Sequence, residues 1–139
     1  MIFSGAQKLI EGHLQSEWTL NTLTFENQAF NTDIYEEFTR STVQFGDTIL
    51  LSLGTRCFRT VGILFLDFFV RPGVGGHRIT ELSDAAWEIF RGLTLDAQLP
   101  EVAPSVVFLE PSLSKNFAER TGWVTAQLRL SFYFDATED

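Results

Sequence analysis

The sequence predicts an α+β domain: a mainly antiparallel sheet of about five or six strands with two helices packed on it. Three observations predict it. Two stretches repeat apolar residues at three- and four-residue steps, which is the helical period. Several others alternate with period two. The alternating stretches follow one another across turn-type dipeptides, as strands of an antiparallel sheet do.

The first element is a helix. Ile2, Phe3, Ala6, Leu9, Ile10, His13 and Leu14 recur at helical steps, and Trp18 continues the line from Ile10 and Leu14 to close the helix against the core. Asn21 to Asp33 is mixed, with a short strand expected at Leu23–Glu26 and an Asn- and Asp-rich loop after it. In "EEFTRSTVQF", Phe38, Arg40, Thr42 and Gln44 alternate with Thr39, Ser41, Val43 and Phe45, as in a half-exposed strand. Gly46-Asp47 then reads as a turn, "TILLSL" as the returning strand, and Gly54-Thr55 as a second turn. "CFRTVGILFLDFFV" is a long third strand, apolar on both faces in its middle and so central in the sheet. Asp67 interrupts it. A buried carboxylate needs partners, so Asp67 is expected near a sheet end, hydrogen bonded or facing water.

After Gly73, Gly75 and Gly76 the helical period returns. Ile79, Leu82, Ala86, Ile89, Phe90 and Leu93 form one stripe, while Glu81, Asp84, Glu88 and Arg91 face away. Asp84 and Glu88 are a like-charge pair at i, i+4, so burial of the stripe must drive this helix. Gly92 is its natural stop. "SVVFLE", between Pro104 and Pro111, is a short strand, and "PSLSKNFAERT" an exposed polar linker. The last strand, "GWVTAQLRLSFYFD", alternates almost strictly. Val124, Ala126, Leu128, Leu130, Phe132 and Phe134 point to the core; Trp123, Thr125, Gln127, Arg129, Ser131, Tyr133 and Asp135 point to solvent or another subunit. No repeat or linker divides the chain, so residues 1–139 are expected to form a single domain.

Composition bounds the function. A chain of 139 residues can bury roughly 68–70% of its unfolded surface. Its 14 phenylalanines supply a dense core, and some suit a subunit interface. A formal charge of −8 argues against a sequence-independent grip on nucleic acid. The lone Cys57 can form no internal disulfide and no metal cluster. The start "MIFSGAQKLIEG" lacks the pattern of a signal peptide, and no stretch reaches the ~18 apolar residues that span a bilayer. A soluble intracellular protein, with no membrane partner, is the expectation.

Strand, glycine loop and helix are the parts of a phosphate-binding loop, so Phe68 to Phe90 was tested against the known motifs. A P-loop starting at Gly73 would need Gly-Lys-Ser/Thr from position 78, where Arg78 stands. A dinucleotide fingerprint also fails at Arg78. A helix N-terminus with His77 and Arg78 beside it could still hold an anion. The plainer reading is a flexible turn carrying exposed Arg71, His77 and Arg78. There is no Gly-x-Ser-x-Gly elbow, no ligand-spaced His/Cys/Asp cluster, and no carboxylate pair forced together by spacing. Cys57 lies near Arg56 and Arg59 but reads as a small strand residue. No catalytic residue, cofactor or metal is expected, which leaves binding or assembly.

The order of features resembles the tail terminator (tail completion) proteins of long-tailed bacteriophages. The resemblance covers most of the chain. It rests on the helix ending near Trp18, on "LTFENQAF", "TRSTVQFGDTILLSLG", "RTVGILFLDFFV" and "RPGVGGHRITELSDAAWEIF", and on "GWVTAQLRLSFYF". Its most telling points are Arg-x-x-Gly at Arg59–Gly62, Pro-Gly-x-Gly at Pro72–Gly75, Leu82-x-x-Ala85, and Gly122-Trp123. The resemblance implies a small α+β subunit, with no catalyst, that forms a hexameric ring, including one that is a monomer in solution and assembles on the tail. Such a ring caps the head-proximal end of the tail tube, stops tube growth and offers a surface to the head connector. It belongs to the virion, is assembled in the host cytoplasm, and lets DNA through its lumen without specific binding. The candidate interface residues are Arg56, Arg59, Arg71, Gly73, Gly75, His77, Arg78, Lys115 and Phe117, chosen for expected exposure in loops. Another ring-forming head–tail connector, a small anion-binding enzyme domain and a host interaction domain are the alternatives.

Overall fold

The computed structural model describes residues 2–26, 37–52, 56–73, 76–95, 105–114, 118–120 and 122–138. The domain is α+β. Helix α1 (Ile2–Glu17) presents Ala6, Ile10 and Leu14 at four-residue steps, all fully buried, with buried Trp18 one step further. The Trp18 amide donates to Leu14 O at 2.9 Å, and its indole Nε1 donates to Asn21 Oδ1 at 2.8 Å. The same oxygen accepts from Thr39 Oγ1 at 3.0 Å, so one amide ties the helix end to the sheet. Phe3, expected on the buried face, is partly exposed, with its ring edge-on to Phe45.

Strand β1 (Thr22–Phe25) runs parallel to the start of β2 (Glu37–Ser52), with Leu23 opposite Thr39. The sheet is therefore mixed, antiparallel in most of its pairs and parallel at this edge. A parallel neighbour needs a crossover connection; residues 27–36 lie outside the described residues. β2 pairs antiparallel with β3 (Arg56–Val70), and β3 with β8 (Trp123–Glu138). These three long strands are the body of the sheet. Its order is β1-β2-β3-β8-β5-β4, with β4 (Thr94–Leu95) and β5 (Val106–Phe108) at the far side.

β2 differs from its expected form. Gly46-Asp47 is not a turn, and "TILLSL" is not a separate strand. The strand runs on, and pairing with β3 steps from Phe45↔Gly62 to Thr48↔Thr60, which leaves Gly46 and Asp47 opposite Val61 alone. This is a β-bulge. β3 is long enough to pair through it, so the chain need not reverse until after Ser52; the Gly54-Thr55 turn lies outside the described residues. The linker expected at 111–121 is likewise partly sheet: β6 (Ser112–Leu113) and β7 (Ala118–Arg120) each pair with β8. Their neighbour β8 offers a long free edge beyond β5, and pairing satisfies backbone groups that would otherwise need water.

Both helices cover one face of the sheet. From β3 that face receives Leu64, Leu66, Phe68 and Val70; from β8 it receives Ala126, Leu128, Leu130, Phe132 and Phe134. Helix α2 (Gly76–Phe90) adds Ile79, Leu82, Ala86 and Phe90 of the expected stripe, all fully buried, while Ile89 and Leu93 are partly buried. Gly92 follows with φ +61°, the left-handed conformation of a helix stop. Gly62 has a packing reason: a Cβ there would lie 2.5 Å from Phe132 Cζ. Asp67 accepts from Gln127 Nε2 at 3.0 Å and sits near the end of β3, as expected.

Candidate functional site

Among the described residues, the second face of the sheet carries no helix. Here period-two alternation places Phe38, Arg40, Phe65, Phe69, Trp123, Arg129 and Tyr133. Each arginine on it whose side chain is described lies over an aromatic ring. Arg71 is 3.7 Å from the Trp123 centroid, Arg59 4.3 Å from Tyr133, Arg40 5.3 Å from Phe69 and Arg129 5.6 Å from Phe65. Such stacking orients a guanidinium and covers the ring beneath it. At one end Phe38 stacks on Phe69 at 4.5 Å and meets Trp123 edge-on at 5.1 Å.

The described residues among those picked from sequence fall at the two ends of β3 and make no single site. Arg59 and Arg71 are twelve positions apart on one chain, roughly 40 Å at strand rise. Arg59 is held by Asp135, Nε to Oδ1 at 2.8 Å and Nη2 to Oδ2 at 3.0 Å, a two-pronged pair. That hydrogen bond holds its pKa above the ordinary arginine value. Arg56 opens β3, but its side chain lies outside the described residues. Gly75, Lys115 and Phe117 also lie outside them.

The glycine-loop end differs most from expectation. Arg78 is not an exposed loop cation. Its Nη2 donates to Glu37 Oε1 at 2.7 Å and its Nε to Glu37 Oε2 at 3.0 Å, while Nη1 reaches Glu81 Oε2 at 3.1 Å. Only a quarter of the side chain is exposed. The hydrogen bond to Glu37 is the main cause of its raised pKa. Physically, Arg78 bolts the first turn of α2 to the first residue of β2. His77 is exposed, with Nε2 2.8 Å from Glu81 Oε1. Arg71 packs on Trp123, and Gly73 turns the chain with φ +94°. The loop's cations are engaged inside the chain, which leaves an incoming anion poorly served here.

At the other end the structure shows what the sequence reading missed. Ile49, Leu50 and Leu51 are 54%, 44% and 44% exposed. Val61 and Leu109, about half exposed, flank a depression of about 610 Å³ with Ile63, Phe65 and Tyr133 on its walls. One signal was available: three consecutive large aliphatics in "TILLSL" cannot all face a core from one strand. For chemistry, the described residues hold no group of three His, Cys, Asp or Glu placed to bind a metal. No helix in them is long and apolar enough to cross a membrane.

No protein-family model matches this chain, and no curated protein matches it. Solved structures do: 16 chains match. One of them superposes over 96% of this chain and 96% of its own, with a TM-score of 0.64 at 12% identity. At that identity the likeness concerns the fold alone.

Proposed function

We propose that this chain is a structural virion protein of a long-tailed bacteriophage, the subunit of a hexameric ring that caps the head-proximal end of the tail tube. The observation that carries the reading is the order of sequence features, from the helix ending at Trp18 to the Gly122-Trp123 strand, over most of the chain. The α+β architecture is compatible with it. A sheet face with no described helix on it, bordered by exposed aliphatics, supports an assembling subunit over a free-standing one. The capping role needs contacts with the tail tube on one side and the head connector on the other, and it needs no chemistry. DNA would pass the lumen without specific binding, and a chain of net charge −8 suits that passage.

Light scattering across a concentration series, with negative-stain imaging, tests the proposal. The expected result is a six-fold ring with an open centre, or monomers that bind the ends of purified tail tubes and halt their growth. A stable closed dimer that leaves tube growth unchanged would overturn it.

A further inference from the structure

Past the bulge, β2, β3 and β8 leave the helices behind. On β3 the buried core starts at Thr60, and no described hydrophobic side chain nearer the tip is buried. The strands continue as an arm, with Ile49 opposite Arg59 and Leu50 opposite Phe58, so the two aliphatics point to opposite faces. Leu51 sits at a second break in register, between Leu50 and Ser52. From Thr48 to Ser52 this strand has no charge. Soluble chains usually guard such strands with charged residues or proline, because bare apolar strands associate. Here Thr48 to Ser52 carry neither charge nor proline.

The same chain carries a matching acceptor. The depression on the outer face is walled mainly by apolar groups, among them Val61, Ile63, Phe65, Leu109 and Tyr133. It has room for several aliphatic side chains. The tip of the arm cannot fill its own chain's depression: Ile49 stands opposite Arg59 at its wall, but Leu51 lies further out. Leu109 donates its amide to Ser131 O at 2.9 Å, level with Ile63, whereas Leu51 lies near the level of Cys57. The separation along the strands is about 15–20 Å. An apolar tip and an apolar hollow that cannot meet within one molecule are suited to meet head to tail between molecules.

We infer that the arm at Ile49–Leu51 of one copy docks into the outer-face depression of the next copy, seating its aliphatics against Val61 and Leu109. The inference takes its second copy from the ring reading and names the surface that reading leaves open. The contact is directional, so each copy both gives an arm and receives one. Repeated through a closing rotation it yields a ring; without closure it yields a filament.

The test is a cross-link. In a Cys57→Ser background, Leu51→Cys and Leu109→Cys are introduced together and each alone, then oxidised across a concentration series. Within one chain the two sulfurs cannot meet, since bridged Cα atoms lie within about 7 Å. The expected result is a covalent ladder from the double variant and at most dimers from either single one. A double variant that gives no more than the single ones, at every concentration, overturns the inference. Ile49→Lys with Leu51→Lys keeps the reading falsifiable by a second route: association should fall at least tenfold with an unchanged unfolding midpoint, and unchanged association would overturn it. Failure of the two readings can be told apart. Six-fold rings without a cross-link overturn the arm contact and leave the ring. A ladder that never closes supports the contact and overturns the ring.

Discussion

The two ends of β3 are built on opposite plans. At the end near α2, every charge in the glycine loop that the structure describes has a partner: Arg78 holds Glu37 and Glu81, and Arg71 lies over Trp123. At the far end, three aliphatics are exposed, with no described helix above them. The first end advertises itself in the sequence through glycines and basic residues, and it is satisfied internally. The second reads as an ordinary strand, and it is the one with unmet needs. A run of loop cations is thus weak evidence for a binding site until the carboxylates that face it are known, whereas an apolar run too long for one face is evidence that something else must cover it.

Substitutions can break this contrast or sharpen it. The largest effect belongs to the core between the two ends. Phe68→Ala should cost about 3–5 kcal/mol in urea unfolding, since the ring is fully buried and stacks on Trp18 at 6.0 Å. Gly62→Ala comes next, at about 1–3 kcal/mol, because its Cβ would press on the Phe132 ring and lie 2.9 Å from Gln44 O. A neutral result there would mean that Phe132 can swing aside. Third is the braced end. Glu37→Gln should cost about 1 kcal/mol, the modest scale of a partly exposed ion pair, and a double-mutant cycle with Arg78→Ala should return most of it as coupling. Zero coupling would make the two ends alike after all.

The pH dependence of that brace follows from its sign. Arg78 has a folded pKa above its unfolded value, so its contribution is complete below the unfolded value and fades only as pH climbs through the higher folded one. Both lie beyond ordinary buffers. Titrating from about pH 7 to 10 should leave the Glu37→Gln difference unchanged. The smallest effect is expected at the arm: Leu50→Ser should move the unfolding midpoint of the monomer by no more than about 0.5 kcal/mol, the scale of a surface change. A loss above about 2 kcal/mol would show that the arm is packed in the monomer and has nothing to offer a neighbour.

Much of the fold was legible because it depends on local period. The stripe from Ile79 to Phe90 and the alternation from Val124 to Phe134 each name their buried side without knowledge of the rest. What was not legible depends on partners far away in sequence. Gly46-Asp47 has the composition of a turn, and only the length of β3 opposite makes it a bulge. The parallel neighbour β1 is set by where α1 delivers the chain. Glu37 and Arg78 are separated by 41 positions, so no window could pair them. Leu109 and Val61 belong to one hollow only because β5 lands beside β8.

The bulge at Gly46-Asp47 has a consequence for how the molecule can change. One extra residue swaps inside and outside for everything that follows on β2, so Thr48 meets Thr60 at 2.8 Å across the inner face and Ile49 is turned out. Pairing straight through, with Gly46 opposite Val61 and Asp47 opposite Thr60, would return Ile49 to the inner side and send Leu50 outward, with every letter of the arm intact. The bulge works as a reading-frame marker written in three dimensions. It lets the far part of the strand be respelled for a new neighbour while the near part goes on spelling the core.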